Sequence, residues 1–277
     1  MLKAKLFFIA IIFVTCSAFT SYSNGISDND DKNLPSLLPG SNEPKAVLLF
    51  IDTLYNHLGL ESLGLSKQAF SLAFKGYQFF LSKGALKNPD VLTICDYSQS
   101  SSNKRLYVID LVENVVLYNT YVSHGSKTGG EFSTRFSNSN GSHKSNLGFL
   151  ITAETYRGRA GFSMRFDGQE KGFNNAARKR GIVLHGSKYV NQRFIDSRGY
   201  SGRSYGCPAV PMEEYREIID VIKEGSCFFG YYPDMHYTRV SKILQAKFDW
   251  PLLNPYQLQR GVVVKKSTVN NQQGEEK

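Results

Sequence analysis

GIVLHG at residues 181–186 and GRSYGCPAVP at residues 202–211 are the two segments around which the chain is organised. The first is a short apolar run that ends at His185, and the second is a turn rich in Gly, Ser and Pro that contains Cys207. A thiol reacts as its thiolate, and its reference pKa of about 8.5 falls when an imidazole shares the proton. The two segments therefore predict a cysteine nucleophile with His185 as its base.

The residues around Cys207 suit acyl transfer. Gly206 leaves room for a substrate carbonyl to approach the backbone. We expect the N–H groups of Tyr205, Gly206 and Cys207 to converge on the developing oxyanion, and the carbonyl of Gly186 to orient the imidazole. The alternative is simple packing, because free cysteine is among the most buried residue types.

Further segments extend the pattern, namely LYVIDL at 106–111, VSHG at 122–125, FSN at 136–138 and SNLGF at 145–149. With the His-Gly pair and the Ser-x-Gly-Cys turn, they resemble the L,D-transpeptidase catalytic domain family, in its murein branch, over roughly residues 45–240. Two positions depart from the commoner family motif, which has histidine where this chain has Tyr205, and arginine or asparagine where it has Ala209.

The resemblance implies an enzyme that acts on peptidoglycan tetrapeptide stems. Cys207 would attack the carbonyl of the third, diamino residue and release the terminal D-alanine, leaving a thioester. A side-chain amine of another stem would then resolve the thioester into a 3-3 cross-link, or a lipoprotein amine would do so. An L,D-carboxypeptidase, in which water is the acceptor, and a non-catalytic peptidoglycan-binding module are the alternatives.

Three residues are candidates for substrate contacts. Arg203 and Ser204 lie at the start of the motif, where Arg203 would bind a substrate carboxylate. His124 lies in the long polar loop 123–146, which we interpret as a wall of the cleft. Because His124 follows an apolar strand and precedes glycine, as His185 does, it is either a cleft residue or a packing residue.

No cofactor or metal is expected. The histidines show no i, i+4 pairing and the cysteines form no Cys-x-x-Cys motif, so a zinc site has little support. The net charge of +9 suits an anionic envelope, and the chain lacks basic runs interleaved with aromatics, which argues against nucleic-acid binding. We also expect a monomer.

The N-terminus predicts export. Two lysines precede an apolar run at 6–14, which is too short to span a membrane and is followed by small residues, so we predict a signal peptide over 1–23 and a periplasmic or envelope location. Lipidation at Cys16 is less favoured, because Phe13 and Thr15 do not suit the lipidation motif.

The mature chain keeps Cys95, Cys207 and Cys227, an odd number that leaves at least one thiol unpaired.

The remaining chain predicts an α+β fold with a mostly antiparallel β core. We divide it into a flexible linker (24–44), a helical hairpin packed on the core (45–86), the catalytic domain (87–240) and a partly disordered extension (241–277). Predicted helices cover 46–58 and 66–83, a short stretch from Asn174 or Asn175 to 180, and 212–223 after the nucleophile turn. Predicted strands cover 91–97, 105–112, 115–122, 148–152, 161–166, a strand ending at 185, and 227–232.

The first three strands are nearly unbroken apolar runs, which predicts burial on both faces. Cys95 and Cys227 lie in strand-like apolar segments and are predicted to be core residues.

Overall fold

The computed structural model describes residues 43–250. The predicted signal peptide (1–23), nearly all of the predicted linker (24–44) and residues 251–277 of the predicted extension lie outside this range. Within residues 43–250, no helix is both long enough and apolar enough to cross a bilayer.

The described residues form five helices and eight strands. The helices are α1 Lys45–His57, α2 Lys67–Ser82, α3 Gln192–Arg198, α4 Tyr215–Ile222 and α5 Met235–Val240. The strands are β1 Val91–Asp96, β2 Leu106–Asp110, β3 Val115–Thr120, β4 Gly148–Gly158, β5 Gly161–Gly168, β6 Val183–Ser187, β7 Ala209–Pro211 and β8 Cys227–Tyr231.

The eight strands make one sheet in the order β3-β2-β1-β8-β4-β5-β6-β7. Neighbouring strands are antiparallel except for two parallel pairs, β1 with β8 and β6 with β7. The prediction of an α+β fold with a mostly antiparallel core is confirmed. The parallel pair β6/β7 lies at one end of the sheet and carries both segments that the sequence singled out.

Both faces of the sheet are covered, which explains the unbroken apolar strands. On one face, α1 and α2 pack their apolar stripes against Leu92 and Ile94 of β1 and Phe229 of β8. On the other face, the isoleucines of α4 pack against Leu184 of β6 and Phe228 of β8. Because alternate residues of a strand point to opposite faces, β1 and β8 are buried at every position, and most of their side chains are apolar.

The helical hairpin forms where the apolar spacing predicts it. The side chain of Ser66 caps α2 by accepting a hydrogen bond from the N–H of Ala69, at 3.1 Å. Gly84 follows the end of α2 with a φ of 59°, a conformation that glycine adopts at little cost. The predicted helix after the nucleophile turn is also present as α4, and its predicted inward residues Tyr215, Ile218, Ile219 and Ile222 are all buried.

Several details differ from the sequence prediction, including the short strand β7, which was not predicted, and β4, which extends to Gly158. Strand β3 is not buried on both faces, because it lies at the edge of the sheet and most of its side chains are half-exposed. Residues 171–180 form successive turns rather than a helix. The side chain of Asn174 does not cap a helix there, since its amide donates to the carbonyls of Leu147 and Phe149 and accepts from the N–H of Glu170. Helices α3 and α5 were not predicted, because each is short and buries a single side chain.

Gly76 marks the closest contact between the hairpin and the sheet. A methyl group added at Gly76 of α2 would overlap the ring of Phe149 on β4. We expect Gly76→Ala to lower the free energy of unfolding by about 1–3 kcal/mol, the usual cost of overpacking a core. Thermal unfolding measures this, and Gly130→Ala is the control, because no atom lies within 4 Å of a methyl group placed there. An unchanged melting temperature for Gly76→Ala would contradict the packing described here.

Candidate active site

Strands β6 and β7 bring the His-Gly pair and the cysteine turn together. The two strands run parallel, with His185 level with Ala209. Cys207, two residues before Ala209, therefore lies beside the start of β6, near Val183. The thiol of Cys207 donates to the carbonyl of Gly181 at 3.7 Å. His185 thus lies on β6, and Cys207 lies in the turn directly before the neighbouring strand β7.

The orientation of His185 matches the expectation. Nδ1 of His185 lies 3.0 Å from the carbonyl oxygen of Gly186, so Nδ1 carries the proton and donates it, while Nε2 is left as the accepting nitrogen. Burial lowers the pKa of His185, so the ring is neutral near pH 7. A side chain at position 186 would overlap Tyr215 and Met212, so glycine at this position of β6 allows those two side chains to pack against the strand.

The thiol of Cys207 is not paired with the imidazole in this structure. Among residues 43–250, its hydrogen bonds run to the start of β6 and none joins it to His185. The expected lowering of the thiol pKa is therefore wrong for this arrangement: burial raises the pKa of Cys207, and the N–H of Val183 and the cation of Arg180 oppose that rise. Both the thiol of Cys207 and the imidazole of His185 are therefore uncharged near pH 7.

Ser204 holds the nucleophile turn closed. Its hydroxyl donates to the carbonyl of Cys207 at 2.6 Å and accepts from the N–H of Gly206 at 3.0 Å. Its own N–H donates to the carbonyl of His124 at 2.9 Å. Gly206 has a φ of 125°, which side-chain-bearing residues rarely adopt, so the turn requires glycine there. Ser204 is buried and braces the turn, rather than offering its hydroxyl to a substrate as predicted.

This bracing changes the set of oxyanion donors. The N–H of Gly206 is already used by Ser204, so it does not point to a substrate as the sequence predicted. Within the described chain, the N–H groups of Tyr205 and Cys207 make no hydrogen bond, so they remain available to a developing negative charge. The oxyanion prediction is thereby reduced from three donors to two.

His124 is in the interior and does not face an open cleft. Its side chain is fully buried, its Nδ1 lies 2.8 Å from Nη2 of Arg105, and its Nε2 lies 3.4 Å from the carbonyl of Gly129. Because the guanidinium can only donate, Nδ1 is the acceptor and the ring is neutral. The predicted substrate contact of His124 is not supported; its backbone carbonyl, which binds the N–H of Ser204, supports the turn from behind.

The burial of His124 predicts a pH-dependent stability. Desolvation, with a smaller contribution from Arg105, lowers the pKa of His124 to about 4, whereas the unfolded chain binds this proton near pH 6.5. The contribution of neutral His124 to the free energy of unfolding is fully present above pH 6.5. It is lost as the pH falls towards 4, by about 3 kcal/mol in all. Urea unfolding at pH 7 and pH 4.5 should therefore show a smaller acid loss for His124→Gln than for the wild type. Equal losses in the two proteins would contradict this assignment.

Arg203 and Tyr205 are the exposed side chains of the turn. Arg203 donates one hydrogen bond to the carbonyl of Gly129, at 3.2 Å, and its guanidinium carbon lies 5.8 Å from the centre of the Tyr200 ring. Tyr205 is 76% exposed and its ring lies tilted against that of His143, with 4.6 Å between ring centres. Both side chains are accessible to a ligand that approaches Cys207.

Sequence reasoning missed Arg180, whose guanidinium lies against the nucleophile turn. A Cβ atom placed on Gly206 would be 3.3 Å from Nη2 of Arg180. In the sequence, Arg180 ends a basic triplet that begins at Arg178 and looks like ordinary solvated surface. Its position directly before the strand of His185 was the one available signal.

The other cysteines are core residues, as predicted. Cys95, Cys207 and Cys227 are all free, and Cys95 and Cys227 are fully buried. Cys227 pairs in register with Leu92 and not with Cys95, so the two buried thiols do not face each other across β1 and β8. Among the described residues, no group of three His, Cys, Asp or Glu side chains is arranged to hold a metal ion.

A comparison with protein families decides the identity of the domain. Residues 61–231, more than half of the chain, match the model of the L,D-transpeptidase catalytic domain. The chain belongs to this family. The match includes Cys207, His185 and Gly186, and it also covers α2 and all eight strands of this L,D-transpeptidase domain. A search of curated proteins gives no match.

Solved structures similar to this L,D-transpeptidase domain include three bacterial proteins. An L,D-transpeptidase from Mycobacterium smegmatis is 13% identical, with 52% of this chain and 59% of that chain covered and a TM-score of 0.34. A mutant of the helical cell shape determining protein of Campylobacter jejuni is 13% identical, with 59% and 57% covered and a TM-score of 0.34. An L,D-transpeptidase from Stackebrandtia nassauensis is 11% identical, with 74% and 86% covered and a TM-score of 0.31. The chain spans less than two thirds of the first two.

Proposed function

We propose that the protein is a cysteine acyltransferase of the cell wall, an L,D-transpeptidase that acts on peptidoglycan tetrapeptide stems and forms 3-3 cross-links. The observation that carries this proposal is the arrangement of β6 and β7. There, a turn braced by Ser204 holds Cys207 directly before β7, the strand that pairs with the β6 strand of His185, and Nδ1 of His185 lies 3.0 Å from the carbonyl oxygen of Gly186. The family match over residues 61–231 supports the same reaction class.

In the first half-reaction, the sulfur of Cys207 attacks the carbonyl carbon of the third stem residue. Nε2 of His185 takes the thiol proton, and the tetrahedral oxyanion lies against the N–H groups of Tyr205 and Cys207. The bond to the terminal D-alanine then breaks, His185 returns the proton to the leaving amine, and a thioester remains on Cys207. This step requires rotation of the Cys207 side chain from Gly181 towards His185.

In the second half-reaction, the side-chain amine of another stem attacks the thioester. A new amide bond forms, the carbon–sulfur bond breaks, and the proton lost by the amine returns to the sulfur through His185. Arg203 would bind a carboxylate of the donor or acceptor stem, because its exposed guanidinium makes a single hydrogen bond to the described part of the chain.

The proposal extends to the whole chain. Residues 1–23 would be removed as a signal peptide, residues 24–44 would act as a linker, and the hairpin 45–86 and domain 87–240 would work as a monomer in the periplasm or cell envelope. The extension 241–277 would have no part in the chemistry. A non-catalytic binding module is less well supported, since Cys207 is neither fully buried nor in a disulfide.

The test is to incubate the purified protein with disaccharide-tetrapeptide and to analyse the products by mass spectrometry. We expect cross-linked dimers and free D-alanine. Disaccharide-tripeptide without dimers would assign the water-dependent carboxypeptidase reaction instead. Unchanged substrate with a folded protein would contradict an enzymatic function.

A further inference from the structure

Arg180 is a half-buried cation whose hydrogen bonds all go to uncharged groups. Its Nη1 donates to Ser137 O at 2.6 Å and to Asn146 Oδ1 at 2.9 Å. Its Nη2 donates to Lys144 O at 2.6 Å and to Ser142 Oγ at 3.2 Å. The four terminal N–H groups are thus satisfied, but within residues 43–250 no carboxylate balances the charge.

A nearby arginine shows that this arrangement is particular to Arg180. Arg178, two residues earlier, forms ion pairs with Glu154 and Asp167 on the surface. Its charge is cancelled locally and screened by solvent. The charge of Arg180 is less well solvated and is not cancelled, so its field reaches neighbouring groups more strongly.

The nearest reactive group is the nucleophile. Nη2 of Arg180 lies 3.3 Å from the Cβ position of Gly206, the residue before Cys207, and the carbonyl of Lys144, to which Nη2 is bonded, lies 2.9 Å from that same position. Arg180 is therefore bonded to the loop 137–146 and lies against the nucleophile turn. Its cation acts on the thiol in the direction that lowers the pKa of Cys207, against the effect of burial.

Other titratable groups around the thiol do not supply a fixed positive charge. His185 on β6 is held neutral because burial lowers its pKa, and Tyr189, in the loop after β6, has a raised pKa and stays neutral. From the opposite loop, the ring of His143 lies tilted over Tyr205, and Lys144 is a half-exposed cation that is not among the charges acting on the Cys207 thiol. Arg203 is exposed to solvent, which weakens its field.

We propose that Arg180 is a positioning residue that fixes the nucleophile turn against the loop 137–146 and supplies the positive charge that stabilises the Cys207 thiolate. This inference rests on the proposed role of Cys207 as nucleophile. It assigns the electrostatic activation of the sulfur to a side chain outside the His-Gly and Ser-x-Gly-Cys motifs. His185 then serves in proton transfer, and Arg180 favours the charged sulfur.

The test measures alkylation of Cys207 by iodoacetamide as a function of pH, without any stem peptide. Mass spectrometry of the peptide that contains Cys207 follows this thiol alone, and Cys95 and Cys227 are fully buried. We expect Arg180→Gln to raise the pH midpoint by about one unit, which is a roughly tenfold slower alkylation near neutral pH. Arg180→Lys keeps the charge, so its midpoint should stay closer to the wild type.

Two further variants separate charge from folding. Lys179→Gln removes an exposed cation one residue away and should leave the midpoint unchanged. Asn146→Asp keeps an acceptor for Arg180 and pairs the guanidinium with a negative charge, although it loses the amide donors to Ser137 O and Phe173 O, so a folded Asn146→Asp protein should show a raised midpoint even if Arg180→Gln does not fold. Unchanged midpoints in folded Arg180→Gln or in Asn146→Asp would overturn the proposal.

The outcome is independent of the cross-linking assay. A raised midpoint supports the role of Arg180 even if tetrapeptide stems prove not to be substrates. Stem cross-linking with an unchanged midpoint in these variants would retain the proposed function and remove the role of Arg180.

Discussion

Cys207→Ala is expected to abolish both D-alanine release and cross-linking, with a loss of at least about a thousandfold in rate. The thiol forms the covalent intermediate, so without it there is no acyl-enzyme for an amine to attack. Release of D-alanine from disaccharide-tetrapeptide, measured at saturating substrate, checks the first half-reaction directly. Unfolding curves would confirm that the variant is folded.

The matched control for this substitution is Cys227→Ala. Cys227 is also a free cysteine, but it is fully buried in the core between the helical hairpin and the sheet. Its loss should reduce stability slightly and leave the rate per folded molecule close to that of the wild type. Retention of D-alanine release in Cys207→Ala would assign the reaction to another group and contradict the mechanism.

His185→Gln is expected to slow acylation by about 10²–10⁴-fold, the usual contribution of a general base. Glutamine can still bond to the carbonyl of Gly186 but cannot take a proton from sulfur. In the wild type, the acylation rate should fall at low pH as His185 becomes protonated. That fall should lie below pH 6.5, because burial lowers the pKa of His185.

Single-turnover acylation rates between pH 4.5 and 8 test both parts of this prediction. The acid limb should be present in the wild type and absent from the residual activity of His185→Gln. His236→Gln, which changes an exposed histidine of α5, should behave as the wild type. An acid limb of the same midpoint in His185→Gln would show that a different group titrates.

Local sequence patterns were sufficient for much of the fold. The hairpin followed from the spacing of apolar residues and from Ser66, and α4 followed from its strong amphipathic pattern. The burial of β1 on both faces followed from its composition, but the same argument failed for β3. Composition does not reveal which strand lies at the edge of a sheet, since that depends on pairing between distant segments.

The candidate site was predictable where its residues are close in sequence. The contact between His185 and the carbonyl of Gly186 is local, and so is the turn that ends at Cys207. The burial of His124 depends on Arg105, and the position of Arg180 depends on a loop more than 30 residues earlier. Such contacts between distant residues leave no local pattern, which is why sequence placed His124 in the cleft and Arg180 on the surface.

The most direct test of the account is the mass of the acylated protein. Rapid mixing with disaccharide-tetrapeptide, acid quenching and peptide mapping should show a disaccharide-tripeptide acyl group on the peptide that contains Cys207, and hydroxylamine should remove it. The same adduct should be missing from Cys207→Ala. Product formation without this adduct, or with an acyl group on another residue, would contradict a thioester on Cys207.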